Sequence, residues 1–358
     1  MMETPFSYPY GYIAGTGGIG TGRLFMLEGD HVLGRCESRK GSLTDYKDYC
    51  KLHITMHYIS VFLRGEIPVY AIGQTGKDQE GRTLKAEMAN AGINVEYVAE
   101  DRCRPTMYSV CGQYPNGEGF NITANNSASH AVKAEDIDRF FKEKTPKGTG
   151  IIIAVPEVPL ETRIHLLKKG REKLCFNIAG VQSVEAADFV KQGGAVLADL
   201  IALNTDEAGA FASLRSGENS SLQDILNNCE SYLLSLNPDL TVIITLGGEG
   251  AQIRYRGHLY SRKAVNVPLV NTAGAGDCLL GTFIAAAARG IDPFVSLDIA
   301  VAASGKKTSC KDTIDFSMNP ENLLEFARSR NIVFPDNIIK DFFFRAVNYP
   351  VLQGINSL

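Results

Sequence analysis

Residues 270–277 read Val270-Asn271-Thr272-Ala273-Gly274-Ala275-Gly276-Asp277 and run directly into Cys278-Leu-Leu-Gly-Thr-Phe-Ile-Ala-Ala-Ala-Ala-Arg289. The second half is a helix by its spacing. Leu279, Leu280, Phe283, Ile284 and Ala287 share one apolar face, and Gly290 ends the pattern. Glycines just before a helix leave its first backbone N–H groups unobstructed. Those N–H groups and the helix dipole together make a site for an anion. Asp277 at such a place serves as an N-cap or as something more. A carboxylate beside a phosphate site can take the proton of an attacking hydroxyl, which is what phosphoryl transfer requires.

Working outward, short apolar runs alternate with helical patterns. Residues 67–72, 150–155, 174–178, 200–203 and 241–246 read as buried strands. Residues 78–91, 159–169, 184–191, 206–214 and 222–236 read as helices, the first closed by Gly92. Strand-then-helix order with uninterrupted apolar strands predicts an α/β fold, a three-layer, doubly wound, mostly parallel sheet with helices on both faces. Two segments break the order. Residues 12–45 are rich in glycine and charge. Residues 100–126 hold a stretch, 106–123, that alternates as antiparallel strands do, with Pro115-Asn116-Gly117 as a hairpin turn. The expectation is one α/β domain over residues 1–358 carrying a small β lid assembled from those two segments.

Composition narrows the function. The chain has 358 residues, 44% hydrophobic and 21% charged, with a net charge of −4. That balance argues against a nucleic-acid partner, which needs a basic surface. No run approaches the ~20 apolar residues of a membrane span, and no signal peptide is visible, so no membrane association is expected. The eight cysteines show no Cys-x-x-Cys spacing, which points to reduced thiols in a cytoplasmic protein.

Glycine is enriched, at 35 residues, and marks two further sites. Gly15-Thr-Gly17-Gly18-Ile-Gly20 spells a dinucleotide fingerprint, with Glu37 beyond it, and would suit an NAD(P)-binding oxidoreductase. The preceding run is short, and Gly29 and Gly34 would interrupt the required helix, so a glycine-rich turn lining another pocket is favoured. Gly73-Gln-Thr-Gly76-Lys77-Asp78 lacks the glycine and the hydroxyl residue of a P-loop. It is a strand-to-helix turn with Asp78 as N-cap, or the edge of a substrate site.

Residues 271–277 resemble the signature of the ribokinase-like (PfkB) carbohydrate kinase family, Asp-Thr-x-Gly-Ala-Gly-Asp before a long helix, at six of seven positions. Three more motifs resemble the family's in its order. They are Gly73 to Gly81, Asn204-Thr-Asp-Glu207, and Thr245-Leu-Gly247-Gly248-Glu-Gly250; Arg104-Pro-Thr106 fits its lid region. The resemblance spans residues 66–305. It implies transfer of the ATP γ-phosphate to a hydroxyl of a sugar-like or nucleoside-like molecule. It implies Asp277 as catalytic base, with the N–H groups of Gly274, Ala275 and Gly276 as anion hole. It implies Asn204 and Glu207 near the ATP phosphates, Glu207 holding Mg²⁺ through water, and Thr245, Gly247 and Gly250 along the nucleotide. A homodimer paired through the lid is the further analogy. The chain departs from the pattern in two places. Asn271 stands where the family has an Asp that helps hold a monovalent cation. Lys51, Leu52 and Met56 stand where the family reads the sugar with Gly, Gly and Asn. The alternative these losses suggest is a ligand-binding or regulatory protein with weak or no transfer. His53 and His57 on that stretch are one helical turn apart, either facing a substrate or simply solvated or hydrogen-bonded. Phe342-Phe343-Phe344 would mark a self-association surface or, as favoured, dock the C-terminal segment onto the core.

Overall fold

The computed structural model describes residues 10–115, 119–143, 148–215 and 221–344. The strands are β1 (Tyr12–Thr16), β2 (Gly20–Leu27), β3 (Gly41–Tyr49), β4 (Val69–Gly76), β5 (Ile93–Asp101), β6 (Met107–Gln113), β7 (Gly119–Thr123), β8 (Gly150–Ala154), β9 (Phe176–Gly180), β10 (Leu200–Asn204), β11 (Thr241–Thr245), β12 (Ala251–Tyr255) and β13 (His258–Arg262). The helices are α1 (Lys51–Leu63), α2 (Gln79–Asn90), α3 (Ala134–Glu143), α4 (Leu160–Glu172), α5 (Ala186–Lys191), α6 (Gly194–Leu197), α7 (Thr205–Ser213), α8 (Leu222–Leu236), α9 (Ala275–Ala288), α10 (Pro293–Thr308) and α11 (Pro320–Ser329).

Nine strands form the main sheet in the order β13-β12-β11-β10-β9-β8-β1-β4-β5. Pairing is parallel from β11 to β5 and antiparallel at β12 and β13. The central strands are mostly apolar because both faces are covered, with Asn177 on β9 and Thr16 on β1 as buried polar exceptions. On β8, Ile151 and Ile153 join the core beneath α1, α9 and α10, while Ile152 and Ala154 join the core beneath α4, α7 and α8. β1, the first strand among the described residues, lies inside the sheet, and the later strands are added on both sides of it. Such a switch point opens a crevice at the carboxyl ends of the strands. No helix among the described residues is long and apolar enough to cross a membrane.

The second sheet, β3-β2-β6-β7, draws on both segments expected to form a β lid, with altered bounds. Tyr12–Thr16 lies in the main sheet, between β4 and β8, and β3 carries the lid on to Tyr49. The expected segment 100–126 contributes only β6 and β7, since Asp101 ends β5. β6 and β7 pair antiparallel as a hairpin requires, although Asn116 and Gly117 of the expected turn lie outside the described residues.

The dinucleotide reading of residues 15–20 is overturned. Gly20 opens strand β2, so the helix that would meet a pyrophosphate is not formed there. The glycines serve close packing instead. A Cβ on Gly15 would lie 2.2 Å from the Met56 Cε, and one on Gly17 2.4 Å from the Val155 Cγ2. The aromatic run behaves as expected. Phe342 and Phe343 are buried, with ring contacts to Phe62 at 5.4 Å and Phe334 at 5.3 Å, while Phe344 stays exposed.

Candidate active site

Helix α9 begins at Ala275, a turn earlier than its apolar face suggested, and Gly274 is its N-cap at φ 76°. Glycine is required there twice over, because a Cβ would also meet the Thr313 carbonyl oxygen at 2.5 Å. Asp277 therefore falls in the first helical turn. The Ala275 N–H donates to the Thr272 carbonyl at 3.1 Å, so it is turned into the loop. That removes Ala275 from the expected trio of anion-hole donors. Gly274 and Gly276, whose N–H groups have no hydrogen-bond partner among the described residues, line the cleft beside Asp277.

This cleft has a volume of about 220 Å³ and is lined by Lys51, Asn204, Glu207, Thr245, Gly274, Gly276 and Asp277 among others. They arrive from five elements, with Gly274, Gly276 and Asp277 all at the start of α9 and Glu207 in the first turn of α7. Asn204 ends β10, Thr245 ends β11, and Lys51 opens α1. Burial raises the Asp277 pKa, opposed by the nearby ammonium groups of Lys51 and Lys307. The Lys51 pKa is raised in turn, first by Asp277, against desolvation, and then by Glu207, Glu157 and Glu185. The Lys51 ammonium lies 4.0 Å from Glu207 Oε1, with the Lys51 side chain 32% exposed. A single cation thus stands between the carboxylate expected to act as base and the one expected near the metal.

Asn204 and Glu207 form a reciprocal capping box at the start of α7. The Glu207 N–H donates to Asn204 Oδ1 and the Asn204 N–H to Glu207 Oε2, both at 2.8 Å. This holds Glu207 in place and leaves its Oε1 on the Lys51 side. A second cavity of about 620 Å³ adjoins the first through Asn204, Thr245, Gly276 and Leu279. Gly247, Gly248 and Gly250 line it together with Val265, Val267 and Leu269. Gly250, at φ 103°, has the Arg262 carbonyl oxygen 2.0 Å from where a Cβ would sit. A third cavity, about 380 Å³, lies under the lid on the other side of residues 271–273. Leu24, Asp48, Cys111, Gln113, Phe120 and Asn121 contribute to it.

Several site residues escaped the sequence. Glu157 follows β8 with a left-handed backbone, φ 77°, and its Oε2 accepts the Lys51 N–H at 3.0 Å. A non-glycine residue in that region is a strained one. Burial pushes the Glu157 carboxyl up to about 7, against the pull of Lys51. Asp48 on β3 is also raised by burial and feels Asp277. The only available signal for Glu157 was its position just past a strand's carboxyl end.

Three expectations resolve differently. Leu52 and Met56 are buried in the core, so of the three altered positions only Lys51 reaches the cleft. His53 and His57 are buried too, and neither ring has a hydrogen-bond partner among the described residues. They are neither solvated nor turned toward the three cavities. They pack against Tyr49 and Phe316 at ring distances of 4.9 and 5.1 Å, and burial pushes their pKa values down to about 3 and about 4. Asp78 is the cap of α2 and also ties the lid. It accepts from the Gly81 N–H at 2.8 Å and from the Thr106 N–H and Oγ1 at 2.7 and 2.6 Å. These bonds bear out Asp78 as the N-cap, and the Gly76 N–H joins the same tie by donating to Thr106 Oγ1 at 2.9 Å.

Comparison with known proteins finds similar chains. The profile of the pfkB family carbohydrate kinases matches residues 56–321. A 2-dehydro-3-deoxygluconokinase of Thermoproteus tenax is 25% identical over 245 residues, 65% of this chain and 71% of the relative. Adenosine kinase 1 of Arabidopsis thaliana is 26% identical over 230 residues, 61% of this chain and 66%, just under two thirds, of its own. The solved structure of Arabidopsis thaliana ribokinase complexed with ribose and ATP superposes with a TM-score of 0.66 at 16% identity, covering 88% of this chain and 98% of that one.

Proposed function

The chain belongs to the pfkB family of carbohydrate kinases, and on that premise we propose that it transfers the γ-phosphate of ATP to a hydroxyl of a sugar-like or nucleoside-like molecule. The observation that carries this is the meeting of Asp277, Lys51, Glu207 and the N–H groups of Gly274 and Gly276 in one cleft joined to a glycine-walled cavity. Phosphoryl transfer asks a protein for positioning and charge stabilisation more than for covalent chemistry, and this set of groups supplies both.

Asp277 takes the proton of the acceptor hydroxyl as its oxygen attacks phosphorus. Its raised pKa makes it a stronger base than an exposed aspartate. The Gly274 and Gly276 N–H groups receive the charge that gathers on the equatorial phosphoryl oxygens. Lys51 adds a full positive charge at the same place, a role the altered start of α1 had concealed. Thr245, Gly247 and Gly250 line the ATP. Glu207 suits Mg²⁺, which prefers one or two carboxylates plus waters and phosphate oxygens, and Mg²⁺ when bound neutralises phosphate charge. The acceptor lies under the lid, where Asp48, Gln113 and Asn121 offer polar contacts.

Turnover of ATP across a panel of sugars, sugar acids and nucleosides, with Asp277→Asn alongside, tests the reading. Equal turnover in the variant would remove Asp277 from its role. The burial of Leu52 and Met56 favours a second reading, a protein that holds its ligand without efficient transfer. It predicts ligand-dependent thermal stabilisation with no turnover on any panel member. Pairing of two copies through the lid is supported by its apolar outer side, where Val110 pairs in register with Ile122 and both are exposed. Light scattering in solution decides it. A cytoplasmic location accords with eight unpaired cysteines, and fractionation tests it.

A further inference from the structure

Lys307 lies in the last turn of α10, completely buried, and the chemistry above makes no use of it. Its side chain reaches away from its own helix to the loop that precedes α9. The ammonium donates to the Asn271 carbonyl at 2.9 Å and to the Ala273 carbonyl. The same loop is held by the Asn271 amide. Its Oδ1 accepts the Ala273 N–H at 2.9 Å, and its Nδ2 donates to the Lys311 carbonyl at 2.6 Å.

A peptide unit is planar and trans, so its C=O and N–H point in opposite directions. With the Ala273 carbonyl turned onto Lys307, the N–H of Gly274 is turned away from Lys307, and Gly274 lines the cleft that holds Asp277. The Asn271 carbonyl sets the Thr272 N–H in the same manner. An ammonium stripped of water is costly, and this one is tolerated because two carbonyl dipoles converge on it. A packing role alone would be filled more cheaply by an apolar side chain.

We propose that Lys307 is a positioning residue, a covalently attached cation that fixes the peptide before Gly274 so that its N–H faces the transferring phosphate. The inference rests on the kinase reading of the cleft. Its pH behaviour adds support. Burial brings Lys307 down to about 8, opposed by Cys278 on α9, Cys310 and Asp315 after α10, and Asp48 on β3. Asp277 also lies within electrostatic reach, and the adjacent Lys306 is paired with Asp315 at 2.6 Å. The loop is therefore ordered below that pH and loosens above it.

Three measurements test this on the full chain. In turnover assays, Lys307→Met lowers kcat about 100-fold, the scale of one lost or misplaced oxyanion donor, with the KM for ATP within about threefold. In Lys307→Ala, added ammonium or methylammonium restores kcat and tetramethylammonium does not. In wild-type protein, titration with inorganic sulfate moves the Gly274 amide resonance below pH 8, and this response disappears above it. Sulfate keeps its charge over that range. The third measurement needs neither a variant nor a substrate. Its success without any turnover would fail the kinase reading while keeping Lys307 in place. A kcat unchanged in Lys307→Met, a folded Lys307→Ala that ammonium does not rescue, or a sulfate response that persists unchanged above pH 9 would each overturn the proposal.

Discussion

The loop at residues 271–277 and the start of α1 face each other across one cleft, yet they are built on opposite plans. The loop works through its backbone. Gly274 is forced by its φ of 76° and by the Thr313 carbonyl, and the backbone before it is held from behind, its carbonyl groups by Lys307 and the Ala273 N–H by the Asn271 side chain. The start of α1 works through one side chain. Lys51 reaches the cleft while its neighbours Leu52, His53 and Met56 are buried in the core. Backbone function demands particular residues at particular spacings. Side-chain function demands only that something of the right charge arrive from somewhere.

The largest effect that bears on this contrast is Asp277→Asn. It removes the base and should lower kcat about 1,000-fold with little change in the KM for ATP, measured by steady-state kinetics. Next comes Lys51→Met, expected to lower kcat about 100-fold. It has a second readout. Lys51 now holds the Asp277 pKa down, so its loss raises that pKa and moves the acid limb of kcat/KM to higher pH. A pH profile that stays in place would show that the two groups do not work as a pair, and the two sides of the cleft would then be independent. Asp48→Asn should raise the KM of the acceptor about tenfold, roughly the worth of one hydrogen bond to a charged group, leaving the KM for ATP alone. An effect on ATP instead would move Asp48 out of the acceptor side.

The smallest effect concerns the buried part of α1. His53 and His57 titrate near 3 and 4 when folded, below the ordinary value of about 6.5. The unfolded chain therefore binds more protons below pH 6.5. The stability of the neutral pair is complete above that pH and is lost as pH falls toward 4. Melting curves at pH 7 and pH 5 should show a lower Tm at pH 5. In His53→Phe/His57→Phe the difference should shrink by a few degrees. An unchanged pH dependence would mean that the rings are not the titrating groups.

The same contrast explains what could be read from the sequence. The α/β order was legible because strands covered on both faces are apolar at successive positions, as at Ile151 to Ile153. The proposed anion loop could be picked out because Gly274, Gly276 and Asp277 are neighbours in the chain. Ala275 was misassigned because a loop's hydrogen bonds decide which N–H turns inward, and spacing is silent on that. Glu157, Asp48 and Lys307 come from three distant segments, so nothing local marks them. Tyr12–Thr16 was placed in the lid because it opens a segment rich in glycine and charge with no helical period. In the fold Gly15, and Gly17 just beyond it, are the gaps into which Met56 and Val155 pack.

The root of the lid has a mechanical consequence. The Tyr49 N–H donates to Thr313 Oγ1 at 2.9 Å, the Thr313 N–H to the Lys47 carbonyl at 3.2 Å, and the Lys47 N–H to Asp312 at 2.8 Å. Residues 311–313 also carry the Lys311 carbonyl that Asn271 grips and the Thr313 carbonyl that crowds Gly274. One short segment thus ties the root of the second sheet to the loop that precedes α9. A strain on either is carried to the other through these shared bonds, so the cavity under that sheet and the cleft at Asp277 rest on one support.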